Sequence, residues 1–185
     1  MIDELLEDLE SEMKGTGESL RRDLNRVRTG RASASLLDGL MVPYYGSATP
    51  LNKLANVSVP ESRLLVVQPF DQGSIAEIER AILSSDLGLS PANDGKIIRV
   101  PIPELTEERR RELVRQVRKE GENHRVSARN HRRDTNEMLK QLLADKEISE
   151  DELRKAHEKV EEITKKATEA IDQIVKAKEE DIMAV

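Results

Sequence analysis

Hydrophobic residues recur at helical spacing in three long segments of the chain. In residues 1–29, from about Thr106 to Ala144, and from Ser149 onward, apolar positions follow one another at intervals of three, four or seven. Such spacing places apolar side chains on one face of an α-helix. Thr106 and Ser149 are good N-cap residues, and Glu152 completes a capping box with Ser149. The pattern therefore predicts three amphipathic helices, of which the last two are antiparallel because their linker is short.

Two glycines, Gly15 and Gly17, interrupt the first helical pattern. Each glycine in a helix costs up to about 1 kcal/mol relative to alanine. Because the apolar register continues on both sides of them, we expect a weak point in this helix and not a break.

The segment between the first and second helices has a different pattern. It contains prolines and runs rich in β-branched and aromatic residues, which are typical of strands. The sequence NDG at 93–95 predicts a turn. A short helix is predicted from Ser74 to Gly88, with Ser74 and Glu77 as its capping box. The predicted strands are residues 40–46, 55–60, 63–70 and 96–102.

This arrangement predicts an α+β fold with two domains. The first helix cannot bury its apolar face alone, and its partners lie beyond the strand-rich segment. We therefore expect an elongated three-helix bundle formed by residues 1–29 and 106–185, with a small β/α/β domain, residues 30–105, inserted into it. Two short crossings, near 29–31 and 103–106, predict a hinge between the domains. The predicted hinge residues are Thr29, Gly30, Arg31, Pro103, Glu104 and Leu105.

Composition limits the classes of function. Aromatic residues make up only 2% of the chain, so the core must consist of aliphatic side chains, which suits packed helices more than a large enzyme pocket. The absence of cysteine excludes disulfides and thiolate metal sites. No apolar run reaches the roughly 20 residues of a membrane-spanning helix, and the N-terminus lacks a signal pattern. We expect a soluble, cytoplasmic protein with no membrane partner.

Positive charge is concentrated in one segment of an acidic chain. The net charge is −6, yet residues 105–133 carry ten basic and five acidic side chains. Nine of the ten basic residues are arginines, whose planar guanidinium binds phosphate in a bidentate manner. Spacings of 4, 3, 7, 4 and 3 place six of them on one solvent-facing side of the second helix. These six are Arg111, Arg115, Arg118, Arg125, Arg129 and Arg132.

Two interpretations of this arginine face remain open from the residues alone. The first is a solvated helix surface with local ion pairs, for which Glu107–Arg111, Glu108–Arg111 and Glu122–Arg125 are well spaced. The second is a site for a phosphate backbone, which the regular spacing and the preference for arginine favour. The lack of interleaved aromatic residues argues against stacking on single-stranded bases, so folded RNA fits better.

Catalytic and metal-binding patterns are weak. His124 and His131 share a helix face; as metal ligands they would need at least one more ligand, and as a general base an orienting carboxylate. Both fall near the apolar stripe, so we expect partly buried structural histidines, no metal and no catalytic site. His157 is solitary. Tyr44 and Tyr45 are neighbours on a strand, so one should be buried and one exposed.

Several stretches together resemble bacterial ribosome recycling factors. They are VRTGRAS (27–33), YYG (44–46), SDLGL (85–89), IRVPIPELTEERRREL (98–113), RVSARNHRRD (125–134) and KEISEDE (146–152). The resemblance runs from end to end in register. It departs at His131, where the family usually has an aliphatic residue, and at Gly15 and Gly17.

The resemblance implies a function. Members of this family are L-shaped and tRNA-like, with a three-helix bundle and a small domain joined by a two-strand hinge. They bind the post-termination ribosome and, with elongation factor G and its GTP hydrolysis, split it into subunits, releasing mRNA and tRNA. They are not enzymes, and we expect a monomer without a cofactor of its own. Arginines matching Arg110, Arg129 and Arg132 contact large-subunit rRNA in the family.

We add the neighbouring arginines of the same helix to the predicted rRNA-binding set. The complete set is Arg110, Arg118, Arg125, Arg129, Arg132 and Arg133. Two other classes stay possible: an adaptor whose arginine face meets an acidic protein, and a small enzyme in the β/α/β segment. The second is disfavoured because that segment has no histidine and no phosphate-binding glycine loop.

Overall fold

The computed structural model describes residues 1–184 and divides them into two compact units. One contains Met1–Thr29 and the chain from Glu107 onward; the other is Gly30–Thr106. The described elements are α1 (Ile2–Asn25), β1 (Met41–Tyr44), β2 (Ser47–Pro50), β3 (Ala55–Glu61), β4 (Leu64–Pro69), α2 (Ile75–Ser84), β5 (Ala92–Asn93), β6 (Ile98–Pro101), α3 (Glu107–Ala144) and α4 (Glu150–Met183). The predicted mixed α+β class is confirmed. Within residues 1–184, no helix is both long enough and apolar enough to cross a membrane.

Helices α1, α3 and α4 pack against one another as a three-helix bundle. Their buried positions keep the spacing that the sequence pattern predicts, except near the end of α3. There the fully buried residue is Leu139, whereas its neighbour Met138 is 53% exposed. The largest fully buried side chains of the bundle are Leu9, Leu20, Leu24, Leu139, Ile171 and Ile182.

The predicted capping box at the start of α4 is present. The Ser149 hydroxyl accepts a hydrogen bond from the Glu152 backbone N–H at 3.3 Å, and the Glu152 carboxylate accepts one from the Ser149 backbone N–H at 2.7 Å. The bonds from Ser149 lower the pKa of Glu152. Two otherwise unpaired N–H groups of the helix end are thus satisfied by local sequence alone, which is why this boundary was predictable.

Helix α1 runs through both of its glycines without interruption. A Cβ atom added at Gly15 or Gly17 would meet nothing within 4 Å. The glycines therefore weaken α1 through backbone entropy alone, and no packing contact requires them.

Replacing Gly15 by alanine should accordingly stabilise the protein. We expect the free energy of unfolding to rise by up to about 1 kcal/mol, because alanine loses less backbone freedom on folding and has room for its methyl group. Chemical denaturation of both proteins measures the difference. A loss of stability would mean that α1 needs a glycine for a reason that its contacts do not reveal.

The inserted unit contains a four-stranded antiparallel sheet in the order β3-β4-β6-β5, together with the β1–β2 hairpin. The four predicted strands correspond to β1, β3, β4 and β6. The hairpin turns through Tyr45 and Gly46, both with positive φ, a two-residue turn that suits the twist of paired strands. Aliphatic side chains from the sheet and α2 form the core, among them Leu65, Val67, Ile78, Ile82 and Ile98.

The turn between β5 and β6 is held by one carboxylate. Asp94 accepts backbone hydrogen bonds from Ile97 and Lys96, each at 2.9 Å, and lies 2.8 Å from the Arg99 guanidinium. These bonds lower the pKa of Asp94 to about 2. The predicted NDG turn thus forms through its own side chain.

Helix α2 begins after Ser74 as predicted, but the predicted capping box does not form and the predicted end at Gly88 was wrong. The Ser74 hydroxyl donates to the Asp71 backbone carbonyl at 2.6 Å and makes no capping bond, because a 3₁₀ turn, Gln72–Ser74, precedes the helix. Asp71 caps that turn instead, by accepting a bond from the Gly73 N–H at 2.9 Å. At the other end α2 stops at Ser84, where the next residue is already extended, and Gly88 lies in the following loop.

Candidate nucleic-acid interface on helix α3

All six predicted RNA-binding arginines lie on α3, which is continuous over 38 residues. The buried side of this helix is marked by Leu113, Val117, Gly121, Ala128, Thr135 and Leu139. Most of the arginines are displaced around the helix from those positions and reach solvent to different extents. They fall into three groups according to their neighbours.

The first group leans toward α4. Three arginines spaced by seven residues meet carboxylates on that helix, and together they form a ladder across the α3–α4 groove. The contacts are Arg118 Nε to Glu179 Oε1 at 2.7 Å, Arg125 Nε to Asp172 Oδ1 at 2.8 Å, and Arg132 Nη1 to Glu161 Oε2 at 3.8 Å. Their side chains are 67%, 26% and 37% exposed, respectively. The contact of Arg132 is the longest of the three, so its guanidinium is the least committed to α4.

The second group makes no ion pair with α4 within residues 1–184. Arg129 Nη2 donates to Glu122 on the same helix at 2.7 Å, and Arg133 Nε lies 3.7 Å from Asp134. Arg115 is exposed and has no hydrogen bond or ion pair among residues 1–184. Arg115 belongs to the periodic arginine face but was left out of the predicted binding set, although its spacing of four from Arg111 was visible in the sequence.

Arg110 stands apart from both groups. It precedes Leu113 by three residues and Val117 by seven, which places it on the buried side of α3. Its Nε is buried and has no hydrogen-bond partner among the described residues. A buried donor without a partner costs about 1–3 kcal/mol.

These ion pairs leave the arginines available for other anions. Hydrogen bonds from Arg129 and then Arg125 lower the pKa of Glu122, and hydrogen bonding to Glu179 raises the pKa of Arg118, so the pairs stay charged at neutral pH. Exposed ion pairs contribute about 0–1 kcal/mol each. A phosphate can therefore replace the carboxylate at little cost, while the carboxylate holds the guanidinium extended beforehand.

Local ion pairing, the alternative interpretation of the arginine face, is present in part. Arg111 bonds to Glu107 at 2.5 Å and Arg125 to Glu122 at 3.3 Å. The predicted Glu108–Arg111 pair does not form within the described chain, because the Arg111 guanidinium is turned to Glu107. The longer-range contacts with α4 were not predicted, since they depend on tertiary packing.

The predicted hinge residues lie where the chain passes between the two units. Thr29 ends one segment of the helical unit, and Gly30 begins the other unit with a φ of +74°. A Cβ at Gly30 would lie 2.9 Å from Leu105 Cγ, so the two crossings touch. Arg31 and Pro103 are exposed, and Glu104 forms an ion pair with Arg63.

His124 and His131 are partly buried as predicted, whereas Tyr45 lies in the turn that follows β1 and not on the strand. His124 is 12% exposed and His131 about one-third exposed, and His131 Nδ1 lies 3.0 Å from Glu12 on α1. Tyr44 is half-buried, with its hydroxyl 3.2 Å from the Asp71 carboxylate, whereas Tyr45 is exposed.

An α-helical bundle bearing a basic face and an inserted β/α/β unit matches one class of translation factor. The family model for ribosome recycling factor matches residues 20–183. Ribosome-recycling factors of Alcanivorax borkumensis and Halalkalibacterium halodurans are 52% and 53% identical over 185 residues, covering all of both chains. The chain belongs to the ribosome recycling factor family, whose members are translation factors and not enzymes.

Two solved structures are similar over essentially their whole length. A solution structure of a ribosome recycling factor has a TM-score of 0.77 and 41% identity, covering 100% of this chain and 98% of the other. A second structure gives models for the T. thermophilus ribosome recycling factor and the E. coli elongation factor G bound to the E. coli post-termination complex. Its matching chain has a TM-score of 0.65 and 43% identity, with full coverage of both chains.

Proposed function

We propose that this protein binds the post-termination ribosome in the cytoplasm and, together with elongation factor G and its GTP hydrolysis, splits it into subunits. mRNA and tRNA are released for a new round of translation. Family membership over residues 20–183 supports this function, and so does the related chain in the complex with elongation factor G. The protein requires no cofactor of its own, because GTP is used by its partner.

The arginine face of α3 is the proposed contact with large-subunit rRNA. Arg129, Arg132 and Arg133 are its primary anchors, because their guanidinium groups have only short-range or weak partners. Arg118 and Arg125 exchange their α4 carboxylates for phosphates, and Arg110 is included because it matches an rRNA-contacting arginine of the family. The acidic remainder of the chain repels RNA and thereby restricts docking to this face.

A subunit-splitting assay tests the proposed function. Purified post-termination ribosomes are mixed with the protein, elongation factor G and GTP, and light scattering follows dissociation into subunits. We expect dissociation only with all components present, and none with a non-hydrolysable GTP analogue. Binding to purified large subunits without splitting in the complete mixture would contradict the function while leaving RNA binding intact.

The two crossings between the units form the proposed hinge, which transmits motion of the β/α/β unit to the bundle. Gly30 supports this role, because its positive φ and its contact with Leu105 leave little freedom for another residue.

Replacing Gly30 by alanine should slow splitting several-fold and change affinity for the large subunit by less than about threefold. The added Cβ would meet Leu105, and alanine adopts positive φ only at a cost of about 1 kcal/mol or more. Gly39→Ala is the matched control, since Gly39 also has positive φ but has nothing within 4 Å of a Cβ. Equal effects of both variants, or a parallel loss of binding and splitting, would contradict the hinge.

A further inference from the structure

Three potential metal ligands converge between α1 and α3. Asp23 lies in the last turns of α1, and Glu120 and His124 lie one turn apart on α3. One ligand atom from each of the three comes within 4.8 Å of the others. All three residues are partly buried, and the His124 side chain is only 12% exposed. The sequence alone did not identify the further ligands that His124 would need. In the folded chain, Asp23 and Glu120 supply two carboxylates beside it.

The hydrogen bonds of His124 determine which ring nitrogen is available. Nδ1 lies 2.7 Å from the backbone carbonyl of Glu120, which can only accept, so Nδ1 carries a proton. The other nitrogen, Nε2, lies 3.4 Å from Asp23 Oδ2 and 3.5 Å from the Ser19 hydroxyl. In the neutral imidazole, the Nε2 lone pair thus faces a carboxylate. The Ser19 hydroxyl can donate to this lone pair, and a metal ion placed between Nε2 and the carboxylate would be bound by both.

We propose that Asp23, Glu120 and His124 bind a divalent transition-metal ion of the Zn²⁺ class. One imidazole nitrogen and two carboxylate oxygens form a ligand set that suits Zn²⁺. Calcium and magnesium prefer oxygen ligands alone. A backbone carbonyl that accepts from the non-ligating nitrogen is the usual second partner of a metal-bound histidine, and the Glu120 carbonyl occupies that position.

The geometry requires only a small contraction of the side chains. Ligands about 2 Å from a tetrahedral ion lie about 3.3 Å from one another. The distance from His124 Nε2 to Asp23 Oδ2 is already 3.4 Å. The Glu120 side chain can close the remaining distance by rotating, and water completes the coordination.

The ion would join two helices that are far apart in sequence. Asp23 is on α1, just before the chain leaves the bundle, and the other two ligands are on α3. An ion that binds only the folded arrangement stabilises it in proportion to ln(1 + [metal]/Kd). The site thus fixes the end of α1 against α3, independently of any contact with the ribosome.

The test uses the 185-residue protein, freed of metal with EDTA, and Zn²⁺ alone as the probe. Calorimetry should show one ion per chain, and the melting temperature should rise by about 5 °C or more at 100 times Kd. Co²⁺ at the site should give the strong visible absorption of a four-coordinate ion. His124→Gln should weaken binding at least tenfold and abolish the shift, and Asp23→Asn and Glu120→Gln should each weaken binding.

His131→Gln is the matched control. His131 also joins α3 to a carboxylate of α1, with Nδ1 3.0 Å from Glu12, but no third ligand joins this pair in the described part of the chain. This variant should bind Zn²⁺ like the parent. No stoichiometric binding by the parent protein, unchanged binding by His124→Gln, or equal losses in both histidine variants would overturn the proposal. The first result would mean that His124 and Asp23 lie together without a metal ion. None of these measurements depends on subunit splitting, so the two proposals can fail separately.

Discussion

Replacing Arg129 and Arg132 together by alanine is expected to weaken binding to the large ribosomal subunit by about 100-fold or more. Each guanidinium supplies charge-assisted hydrogen bonds, and a hydrogen bond to a charged group contributes about 1.5–3 kcal/mol. The fold should be retained, because the partners of these arginines, Glu122 and Glu161, are exposed carboxylates in weak surface pairs. Co-sedimentation with purified large subunits measures the affinity, and thermal melting checks the fold.

Arg154→Ala is the matched control for charge. Arg154 lies on α4, is exposed, and pairs with Asp151 at 2.6 Å, so its loss changes the net charge and removes one ion pair in the same way as a single α3 variant. Its affinity should fall by less than about threefold. Comparable losses for Arg154→Ala and Arg132→Ala would indicate general electrostatic attraction and not a site. An unchanged affinity of the folded double variant would contradict the site directly.

Replacing Gly121 by alanine should destabilise the bundle, although the same change at Gly15 should stabilise it. A Cβ at Gly121 would lie 2.5 Å from Val175 Cγ2, because α3 and α4 approach closely at this position. Overpacking of this kind costs about 1–3 kcal/mol, more than the roughly 1 kcal/mol that alanine contributes to helix propensity. We expect a net loss of about 1–2 kcal/mol in the free energy of unfolding.

A second substitution separates the steric effect from other causes. Val175→Ala removes the methyl group that the new Cβ would meet. In the double variant the cost of Gly121→Ala should largely disappear, so the two changes should couple by at least about 1 kcal/mol in a double-mutant cycle. Strictly additive effects, or stabilisation by Gly121→Ala alone, would show that the close approach is not the reason for glycine here.

The long elements were predictable because their signals are local. Periodic apolar residues fixed α1, α3 and α4, and the capping box of α4 needs only Ser149 and Glu152. β2 and β5 were missed because they are short and contain no run of β-branched residues. The end of α2 was misplaced, because Gly88 looks like a C-cap whereas the helix had already ended at Ser84.

For the proposed RNA-binding site, the sequence predicted a helix face and not the individual contacts of its arginines. The spacing of the arginines predicted that they share one side of a helix, but it did not predict which guanidinium groups meet α4. The carboxylates of Asp172 and Glu179 are seven residues apart, like their partners Arg118 and Arg125, yet only the packing of α3 against α4 brings them together. Asp23 likewise joins His124 from a distant part of the chain. Gly121 stands out in the sequence as an isolated glycine within a helical pattern. The close approach of Val175, which explains the glycine, appears only in the folded chain.

The salt dependence of binding to purified large subunits tests the central claim most directly. Each phosphate contact contributes about −0.7 to −0.9 to the slope of log affinity against log salt concentration. With the arginine face of α3 on the rRNA backbone, the parent protein should give a slope of about −3 or steeper, and the Arg129→Ala/Arg132→Ala variant a slope shallower by about 1.5. A flat response of the parent protein, or identical slopes for both proteins, would contradict the claim.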